Sequence, residues 1–357
     1  MTASVGVTLC IINFNGAGHL APAFAALQAQ SWPFGELLLI DNASDDGSPA
    51  LARRLCPAVR VIELPVNRGP AAARNAGFAA ATHDLILFQD NDVRLGVETG
   101  ARLVAHLAEH PECLAVAPRV VYDSDPTTIQ FDSADCHFLG LMATRHADMP
   151  VAGTSAAPSP TTSMVSACFL IDRRLWRGGR PFDESLGFNL EDHDFGVRAR
   201  LAGHSLWVEP AATVRHGSGT AGLSYRPGQT PTEARVFYLT LNRWIIVLRC
   251  YAGRTLFLLS PALLALEVMQ LIWLASEGRV TVWWRALRSL LARRRLVLAE
   301  RRAIQRDRRV GDAEILRDGP LPLTGHVRRH PLGRYLASTA DFVLRAYWRA
   351  VRRWVEA

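Results

Sequence analysis

The segment LILFQDND, residues 85–92, decides the fold of this chain. Its first half, Leu85–Phe88, is a short run of large apolar residues, which is typical of a strand buried inside a parallel sheet. The segment ends in two carboxylates, Asp90 and Asp92, at positions i and i+2, where the strand reaches the edge of the sheet. Carboxylate oxygens are the ligands that a divalent cation takes together with substrate phosphates and water. The segment therefore predicts a buried strand that presents two acids to a cation bridging a diphosphate.

Similar apolar runs flank this segment and alternate with Ala-rich stretches at helical spacing. The other predicted strands are Val5–Ile12, Leu37–Ile40, Val59–Leu64 and Leu114–Ala117, and the predicted helices are His19–Gln30, Ser48–Leu55, Gly69–Ala80 and Val97–Glu109. The N-terminal run lacks a basic leader, so it predicts a first strand and not a signal peptide. This alternation favours a doubly wound, mostly parallel α/β sheet of the Rossmann-like kind. Such sheets bind ligands at the carboxyl ends of their strands, where Asp90 and Asp92 lie.

The alternation of strands and helices stops after about residue 121. The following stretches predict a long loop over the site (Tyr122–Thr162), a strand (Thr162–Asp172), a helix (Asn189–Ala202), a short strand (Ser205–Val208) and a mobile loop (Gly217–Pro231). We therefore expect an α/β domain over residues 1–231 and a helical, Arg-rich region over residues 232–357.

The composition excludes several kinds of chemistry. All 40 residues counted as Lys or Arg are arginine, because the chain contains no lysine. A P-loop and a Schiff base on a lysine amine are thereby excluded. The six cysteines are scattered without CxxC spacing, so neither a zinc ribbon nor a redox dithiol is expected, and a reduced cytoplasmic setting fits.

The C-terminal third of the chain is both apolar and basic. Residues 276–357 hold 19 arginines against 8 acids, in a chain of net charge +7. Thr255–Ser276 is long enough to span a bilayer, but Pro261 and Glu267 interrupt it and favour an in-plane attachment over a span. Arg334–Trp354 predicts an amphipathic helix whose Trp and Arg residues suit a membrane surface. A buried core helix, a packing helix and a solvated Arg-rich surface are the ordinary alternatives.

Two polar clusters adjoin predicted strand ends and helix starts, and each also has an ordinary structural explanation. In DNASDDG, residues 41–47, the carboxylate of Asp41 can accept from a nucleotide base or a ribose, or the segment is only an Asx turn that caps the next helix. In NRGPAAARNAG, residues 67–77, Gly69 and Pro70 open a helix whose N-terminus can face an anion. Arg74 lies one turn further on and can reach a phosphate, unless it is simply solvated.

The acidic pair in EDHD, residues 191–194, falls at the start of a predicted helix. Glu191 and Asp192 can be simple N-terminal acids, but a carboxylate that points into a cleft is a ready general base. His216 ends a strand-like segment, and a lone histidine is more often structural than functional.

Taken together, residues 5–220 resemble the family 2 glycosyltransferases with the GT-A fold. The resemblance is carried by the ordered stretches VTLCIINFNG, LLLIDNASDDGS, NRGPAAARNAG, LILFQDND, ACFLIDRRLW with FDES, and EDHDFGVRARLAGHSLWVEPAATVRH. The chain looks most like the bacterial branch that includes rhamnosyl- and galactofuranosyltransferases. The middle residue of the acidic motif is Asn91, which the family pattern tolerates.

This resemblance implies a UDP- or dTDP-sugar donor, a divalent cation (Mg²⁺ or Mn²⁺) and a role for each cluster. The implied residues are Asn15, Asp41, Gly69, Arg74 and Asp90 for the donor, Asp90, Asp92 and His216 for the metal, and Asp192 as general base beside Glu191 for catalysis. The implied reaction is a metal-dependent, inverting transfer of a hexosyl or deoxyhexosyl group. No covalent sugar–enzyme intermediate is required.

The expected acceptor is a glycan or a lipid-linked molecule in cell-envelope polysaccharide synthesis. The expected location is the cytoplasmic face of the inner membrane, with peripheral attachment, a single span as the alternative, and no nucleic-acid partner. Two other classes of protein stay open. A nucleotidyltransferase would need basic residues near the first strand, and VTLCIINFNG offers none. A non-catalytic membrane scaffold would be expected to have lost the acids at residues 90–92 or 191–192.

Overall fold

The computed structural model describes residues 6–217, 231–321 and 331–355, and in the last range it describes side chains from residue 338 onward. The chain forms two compact units. The first comprises residues 1–134, 144–196 and 204–219, and the second comprises residues 135–143, 197–203 and 220–357. The predicted loop Gly217–Pro231 lies, apart from its ends, outside the described residues. The domain boundary after residue 231 stays a prediction.

The strands form one large sheet and one small sheet. In chain order they are β1 (Val7–Asn13), β2 (Glu36–Asp41), β3 (Arg60–Glu63), β4 (Leu85–Asp90), β5 (Val93–Leu95), β6 (Cys113–Tyr122), β7 (Ile129–Phe131), β8 (Ala134–His137), β9 (Met142–Thr144), β10 (Ser159–Pro160), β11 (Cys168–Asp172), β12 (Ser205–His216) and β13 (Leu316–Arg317). The large sheet runs in the order β10-β12-β6-β11-β4-β1-β2-β3, with β5 paired to β12 and β7 to β6, and the small sheet runs β13-β8-β9.

The helices surround the large sheet in the first unit and make up most of the second. In chain order they are α1 (Ala17–Gln28), α2 (Ser48–Leu55), α3 (Pro70–Ala80), α4 (Thr99–Glu109), α5 (Glu191–Leu201), α6 (Glu233–Cys250), α7 (Gly253–Ser276), α8 (Val280–Asp307) and α9 (Pro331–Val355). In the described parts of the chain, α1 to α5, α7 and α9 begin and end within three residues of the segments predicted above.

The predicted doubly wound, mostly parallel sheet is confirmed. Strand β1 pairs in parallel with β2 and β4, and β2 pairs in parallel with β3. Every residue of β1 and the first five residues of β4 are buried, as expected for strands covered by helices on both faces. The sheet also contains antiparallel pairs, namely β11 with both β4 and β6, β5 and β10 with β12, and β7 with β6.

Two predictions about the middle of the chain are wrong. The segment predicted as one long loop, Tyr122–Thr162, contains the short strands β7 to β10. The strand predicted over Ser205–Val208 extends to His216, and its pairing with β6 shifts register between Glu209 and Thr213. Strand β10 pairs with β12, and β12 pairs with β6, so both are ordered by partners far away in sequence and not by their own apolar pattern.

In the second unit, α7 packs on α6 and α8 through a charged side chain. The carboxylate of Glu267 accepts from the guanidinium of Arg243, from the indole of Trp244 at 2.8 Å and from the indole of Trp283 at 3.0 Å. A carboxylate with three donors is satisfied where it lies, so Glu267 belongs to the protein-facing side of α7. Within the described residues, α7 alone is long and apolar enough to cross a membrane, which by itself is weak evidence for a span.

Candidate active site

Polar side chains meet at the carboxyl ends of three neighbouring strands. In the parallel register, Asn13 at the end of β1 lies opposite Asp41 at the end of β2. On the other side of β1, Ile12 lies opposite Asp90 at the end of β4. The sheet therefore brings Asp41 and the acidic motif 90–92 to one edge, although 49 residues separate Asp41 from Asp90 in sequence.

A buried amide joins these two groups. The amide nitrogen of Asn13 donates to Asp41 at 2.7 Å and to Ser48 at 2.8 Å, and its oxygen accepts from Asn91 at 2.9 Å. Nothing in the sequence pattern singled out Asn13, since one asparagine at a strand end has no distinguishing spacing. The middle residue of the acidic motif is therefore anchored to the predicted base-binding aspartate through one side chain.

The loop after β2 is held in a fixed shape around Asp41. Its carboxylate accepts from the backbone N–H and the hydroxyl of Ser44, at 2.9 and 2.6 Å. Asn15, predicted as a donor residue, lies against this loop: its backbone N–H donates to the Ser44 hydroxyl and its side-chain oxygen accepts from Asp45. Both Asn15 and Ala43 adopt positive φ angles, of 48° and 61°. Strained residues of this kind gather at binding sites.

Gly69 occupies a position that only glycine fits. Its φ is 83°, and a Cβ added there would lie 2.1 Å from the carbonyl oxygen of Gly187. Its own carbonyl accepts from Asn42 at 3.0 Å, which ties the start of α3 to the end of β2. Gly69 thus opens α3 as predicted from the sequence, and its role toward an anion stays a prediction.

Arg74 lies inside the protein with 1% of its side chain exposed. Its guanidinium donates to Asp90 at 2.6 Å, to Glu191 at 3.1 Å and to the carbonyl of Ser166 at 3.2 Å. The structure thus places Arg74 between the acidic motif of β4 and the acidic pair of α5. Its predicted contact with a donor phosphate stays a prediction, and the contacts in the structure are with these two acids.

The acidic pair at the start of α5 is divided between two environments. Glu191 is ion-paired to Arg74, whereas Asp192 accepts two backbone N–H groups, from Ser166 at 3.0 Å and from His193 at 2.7 Å. Leu190, directly before the pair, has a φ of 65°, which is strained for a branched side chain. The strained turn and the two N–H donors fix the direction of the Asp192 carboxylate.

His216 lies beside the acidic motif, as predicted. Its Nε2 is 3.4 Å from the carboxylate of Asp92, and its Nδ1 is 2.8 Å from the side-chain oxygen of Gln130. Burial lowers the pKa of His216, but the hydrogen bond to Asp92 and the charge of that carboxylate outweigh it and raise the pKa above its ordinary value.

The residues present fit a divalent cation whose coordination is completed by substrate. Asp92 and His216 offer one oxygen and one nitrogen ligand side by side, and Asp90, 30% exposed, keeps an oxygen clear of Arg74. Across the described parts of the chain, no group of three or more acidic, histidine or cysteine side chains is placed so that it could hold a metal ion by itself. Mg²⁺ sites commonly use one or two carboxylates and leave the remaining positions to phosphates and water.

Burial raises the affinity of two of these carboxylates for a proton. It raises the pKa of Asp90 to about 6, where Arg74 opposes the shift and Asp92 adds to it. Burial and the adjacent Asp192 raise the pKa of Glu191 to about 7, again against the effect of Arg74. His193 is also buried, with its Nδ1 2.6 Å from the hydroxyl of Ser163, and desolvation lowers its pKa to about 4. The site thus concentrates charge in a largely dry setting.

Solved structures share this architecture. A crystal structure of GalNAc-T7 with UDP, GalNAc and Mn²⁺ matches with a TM-score of 0.54 and 16% sequence identity, over 71% of this chain and 49% of that one. The S. aureus TarS 1-349 structure matches with a TM-score of 0.51 and 15% identity, over 98% and 91% of the two chains. The predicted fold class is confirmed: the protein has the GT-A fold of nucleotide-sugar-dependent glycosyltransferases, followed by a helical region.

The sequence comparison points to one family. Residues 8–177, slightly less than half of the chain, match the family described as Glycosyl transferase family 2. The Pre-mycofactocin glycosyltransferase of Mycobacterium tuberculosis is 31% identical over 163 residues, which are 45% of this chain and 33% of that protein. The Succinoglycan biosynthesis protein ExoO of Rhizobium meliloti is 38% identical over 87 residues, 24% of this chain and 25% of that protein. The chain thus matches between a quarter and a third of the length of these two relatives.

Proposed function

We propose that this protein moves a hexosyl or deoxyhexosyl group from a UDP- or dTDP-sugar to a hydroxyl of a glycan or a lipid-linked acceptor. The transfer inverts the configuration at the anomeric carbon, and it serves cell-envelope polysaccharide synthesis. The match of residues 8–177 to the family 2 glycosyltransferases and a relative named for succinoglycan biosynthesis support this class of reaction.

The observation that carries the proposal is the bridge made by Arg74. This one guanidinium contacts Asp90 of the acidic motif and Glu191 of the acidic pair, so the donor side and the candidate base belong to one site. Glu191 is ion-paired to Arg74, whereas the hydrogen bonds that position Asp192 come from the backbone N–H groups of Ser166 and His193. The division favours Asp192 as general base and gives Glu191 the role of holding Arg74.

The proposed chemistry is a single displacement. Asp192 accepts the proton of the acceptor hydroxyl while that oxygen bonds to the anomeric carbon and the bond to the nucleoside diphosphate breaks. Asp41, fixed by Asn13 and Ser44, binds the nucleoside. A divalent cation, Mg²⁺ or Mn²⁺, held by Asp92 and His216 with Asp90 beside them, would neutralise the charge of the departing diphosphate. The Mn²⁺ named for the GalNAc-T7 structure supports this choice of ion.

The test replaces Asp192 with asparagine. We expect Asp192→Asn to keep donor affinity and to lower turnover by roughly 10²–10⁴, since the base is lost and the shape is kept. The assay measures nucleoside diphosphate release from UDP- and dTDP-sugars with Mn²⁺ or Mg²⁺, and the control is the exposed Asp84→Asn. Turnover within a few-fold of wild type would remove Asp192 from the role of base. Pyrophosphate release from a nucleoside triphosphate would instead indicate a nucleotidyltransferase.

We also propose peripheral attachment to the cytoplasmic face of the inner membrane through the second unit. Helix α7 supports an in-plane position, because its protein-facing side carries Glu267 while the opposite side is apolar and exposed. That exposed side consists of Phe257, Leu264, Val268 and Ile272, which are 48–79% exposed. A helix that is apolar toward solvent on one side only lies in an interface more readily than it crosses a bilayer.

A further inference from the structure

Helix α8 carries two interleaved series of exposed residues, each repeating every seven positions. The apolar series is Trp284, Leu291 and Leu298, which are 53%, 52% and 52% exposed. The basic series is Arg288, Arg295 and Arg302, all exposed. A helix turns nearly twice in seven residues and drifts by only about 20° per repeat, so all six side chains project from one side. We call this set, Trp284, Arg288, Leu291, Arg295, Leu298 and Arg302, the α8 stripe.

The opposite side of α8 is the one that packs on the protein. Val282, Ala286 and Val297 are buried there. Glu300 points the same way and pairs with Arg249 of α6 at 2.7 Å. The α8 stripe is therefore not a misplaced core face, because the helix already has a separate packing face.

The three arginines of the stripe have no partner among the described residues, unlike other arginines of the same helix. Arg301 donates to the carbonyls of Leu248 and Tyr251, and Arg285 lies over the ring of Phe237, 3.7 Å from Glu233. No hydrogen bond or ion pair of this kind is made by Arg288, Arg295 or Arg302 in the part of the chain that the structure describes. Their charges are available to an external anion.

The spacing and the charges of the α8 stripe together indicate what kind of partner binds it. A seven-residue repeat also suits a partner helix, but a second copy of α8 would set arginine against arginine, and the stripe contains no acid to complement it. A row of cations about 10.5 Å apart, alternating with Trp and Leu, matches a surface that is anionic at headgroup depth and apolar below. Arginine stems lie along apolar surface while their charged heads reach phosphates.

An open depression at the N-terminal end of the stripe is lined by Thr281, Trp284, Arg285 and Arg288. Trp is a preferred residue at the boundary between apolar and aqueous phases, because it is apolar with one polar edge.

We propose that the α8 stripe is the surface on which the protein docks to anionic phospholipid, with each arginine taking a headgroup phosphate and each apolar residue entering the interface. This inference rests on the proposed peripheral attachment and adds to it the lipid charge and the residues that recognise it. It is independent of the proposed transfer reaction, which concerns the first unit.

The experiment measures vesicle flotation of the full-length chain. Vesicles of phosphatidylcholine alone are compared with vesicles that also contain phosphatidylglycerol, at low and high salt. The test variant carries Arg288→Gln, Arg295→Gln and Arg302→Gln, and the matched control carries Arg54→Gln, Arg102→Gln and Arg177→Gln, three exposed arginines of the first unit without described side-chain partners. Both variants lose the same charge, so only the position differs. Thermal unfolding checks that each is folded, and nucleoside diphosphate release in the absence of vesicles reports the transferase separately.

We expect wild type and control to float with phosphatidylglycerol vesicles at low salt and to be released by high salt. The test variant should bind these vesicles roughly a hundredfold more weakly, about fivefold for each arginine. Equal binding to both kinds of vesicle, or equal weakening of test and control variants, would overturn the inference while leaving membrane attachment in place. If wild type binds neither kind of vesicle, both this inference and the proposed membrane attachment are overturned. Diphosphate release in that last case would show that the proposed reaction still stands.

Discussion

Replacing Arg74 with methionine tests the interpretation of the site most directly. Methionine keeps much of the side-chain length and removes the cation from between Asp90 and Glu191. Removing one partner from a buried ion pair costs about 3–5 kcal/mol, because the remaining charge is left without compensation. Asp90 is 30% exposed and recovers part of its hydration, whereas Glu191 is 6% exposed and does not. We therefore expect a loss near the lower limit, about 3 kcal/mol of unfolding free energy at pH 8.

The loss should depend on pH in a defined direction. With Arg74 present, the pKa of Glu191 is about 7, against an ordinary value of 4.5, and without Arg74 it should rise further. Below pH 4.5 Glu191 is protonated in both the folded and the unfolded chain, so the missing cation matters little. As the pH rises above 4.5 the unfolded chain loses this proton and the folded variant retains it or buries a charge. Stability of the variant should therefore fall with increasing pH more steeply than that of wild type.

The assay is urea denaturation of wild type and Arg74→Met at pH 5 and pH 8, with nucleoside diphosphate release measured in parallel. Arg68→Met is the matched control, because Arg68 makes one exposed ion pair with Glu184 at 2.6 Å and should contribute less than about 1 kcal/mol. Adding Glu191→Gln to Arg74→Met should restore part of the stability at pH 8 without restoring turnover. A loss below about 1 kcal/mol for Arg74→Met, or one that is equal at both pH values, would refute the bridging role.

Three further predictions concern single residues of the site. Gly69→Ala should destabilise the protein by more than about 2 kcal/mol, from the positive φ and the overlap with the Gly187 carbonyl, and thermal unfolding checks this. The pKa of His193 is about 4 in the folded chain and ordinary in the unfolded chain, so the unfolding free energy of wild type should fall by up to about 3 kcal/mol between pH 6.5 and pH 4. Urea titrations of His193→Gln that show the same fall would contradict this assignment. His216→Ala should raise the Mn²⁺ concentration for half-maximal activity by at least about tenfold, and an unchanged metal requirement would exclude His216 from the metal site beside Asp92.

Most of the fold could be predicted because, in the first half of the chain, short-range apolar patterns indicate each strand and helix. Apolar runs too short for helices, separated by Ala-rich stretches, place β1 to β4 and α1 to α4 within a few residues of their observed bounds. The strand β11 was predicted within Thr162–Asp172, but its antiparallel direction could not be, because an apolar run shows burial and not strand direction. The sequence shows the two ends of β12 as separate strand-like segments, and the continuity between them depends on pairing with β6, some 90 residues earlier in the chain.

The sequence predicted the site residues whose own side chains suggest a chemical role, but not those that act by positioning other residues. Asp90, Asp92 and His216 were named from the sequence, and the structure brings them to one edge of the sheet. Their roles stay predictions until tested by the experiments above. Asn13 was not named, because its importance lies in joining Asp41 to Asn91, and only the register of β1 between β2 and β4 creates that junction.

The burial of Arg74 has a physical origin in the helix that bears it. Helix α3 begins PAAARNAG, and the alanines at 71–73 are buried together with Arg74. A Cβ added at Gly77 would lie 2.3 Å from the sulfur of Cys10 on β1, so the small residues of α3 let it approach the sheet closely. An arginine on the sheet-facing side of such a helix cannot reach solvent and must find buried acids, or its burial would cost several kcal/mol. Asp90 and Glu191, 16 and 117 residues away, supply them. The run of small residues before Arg74 was the one local sign that this arginine faces inward, and it gains meaning only together with acids that the chain places far away in sequence.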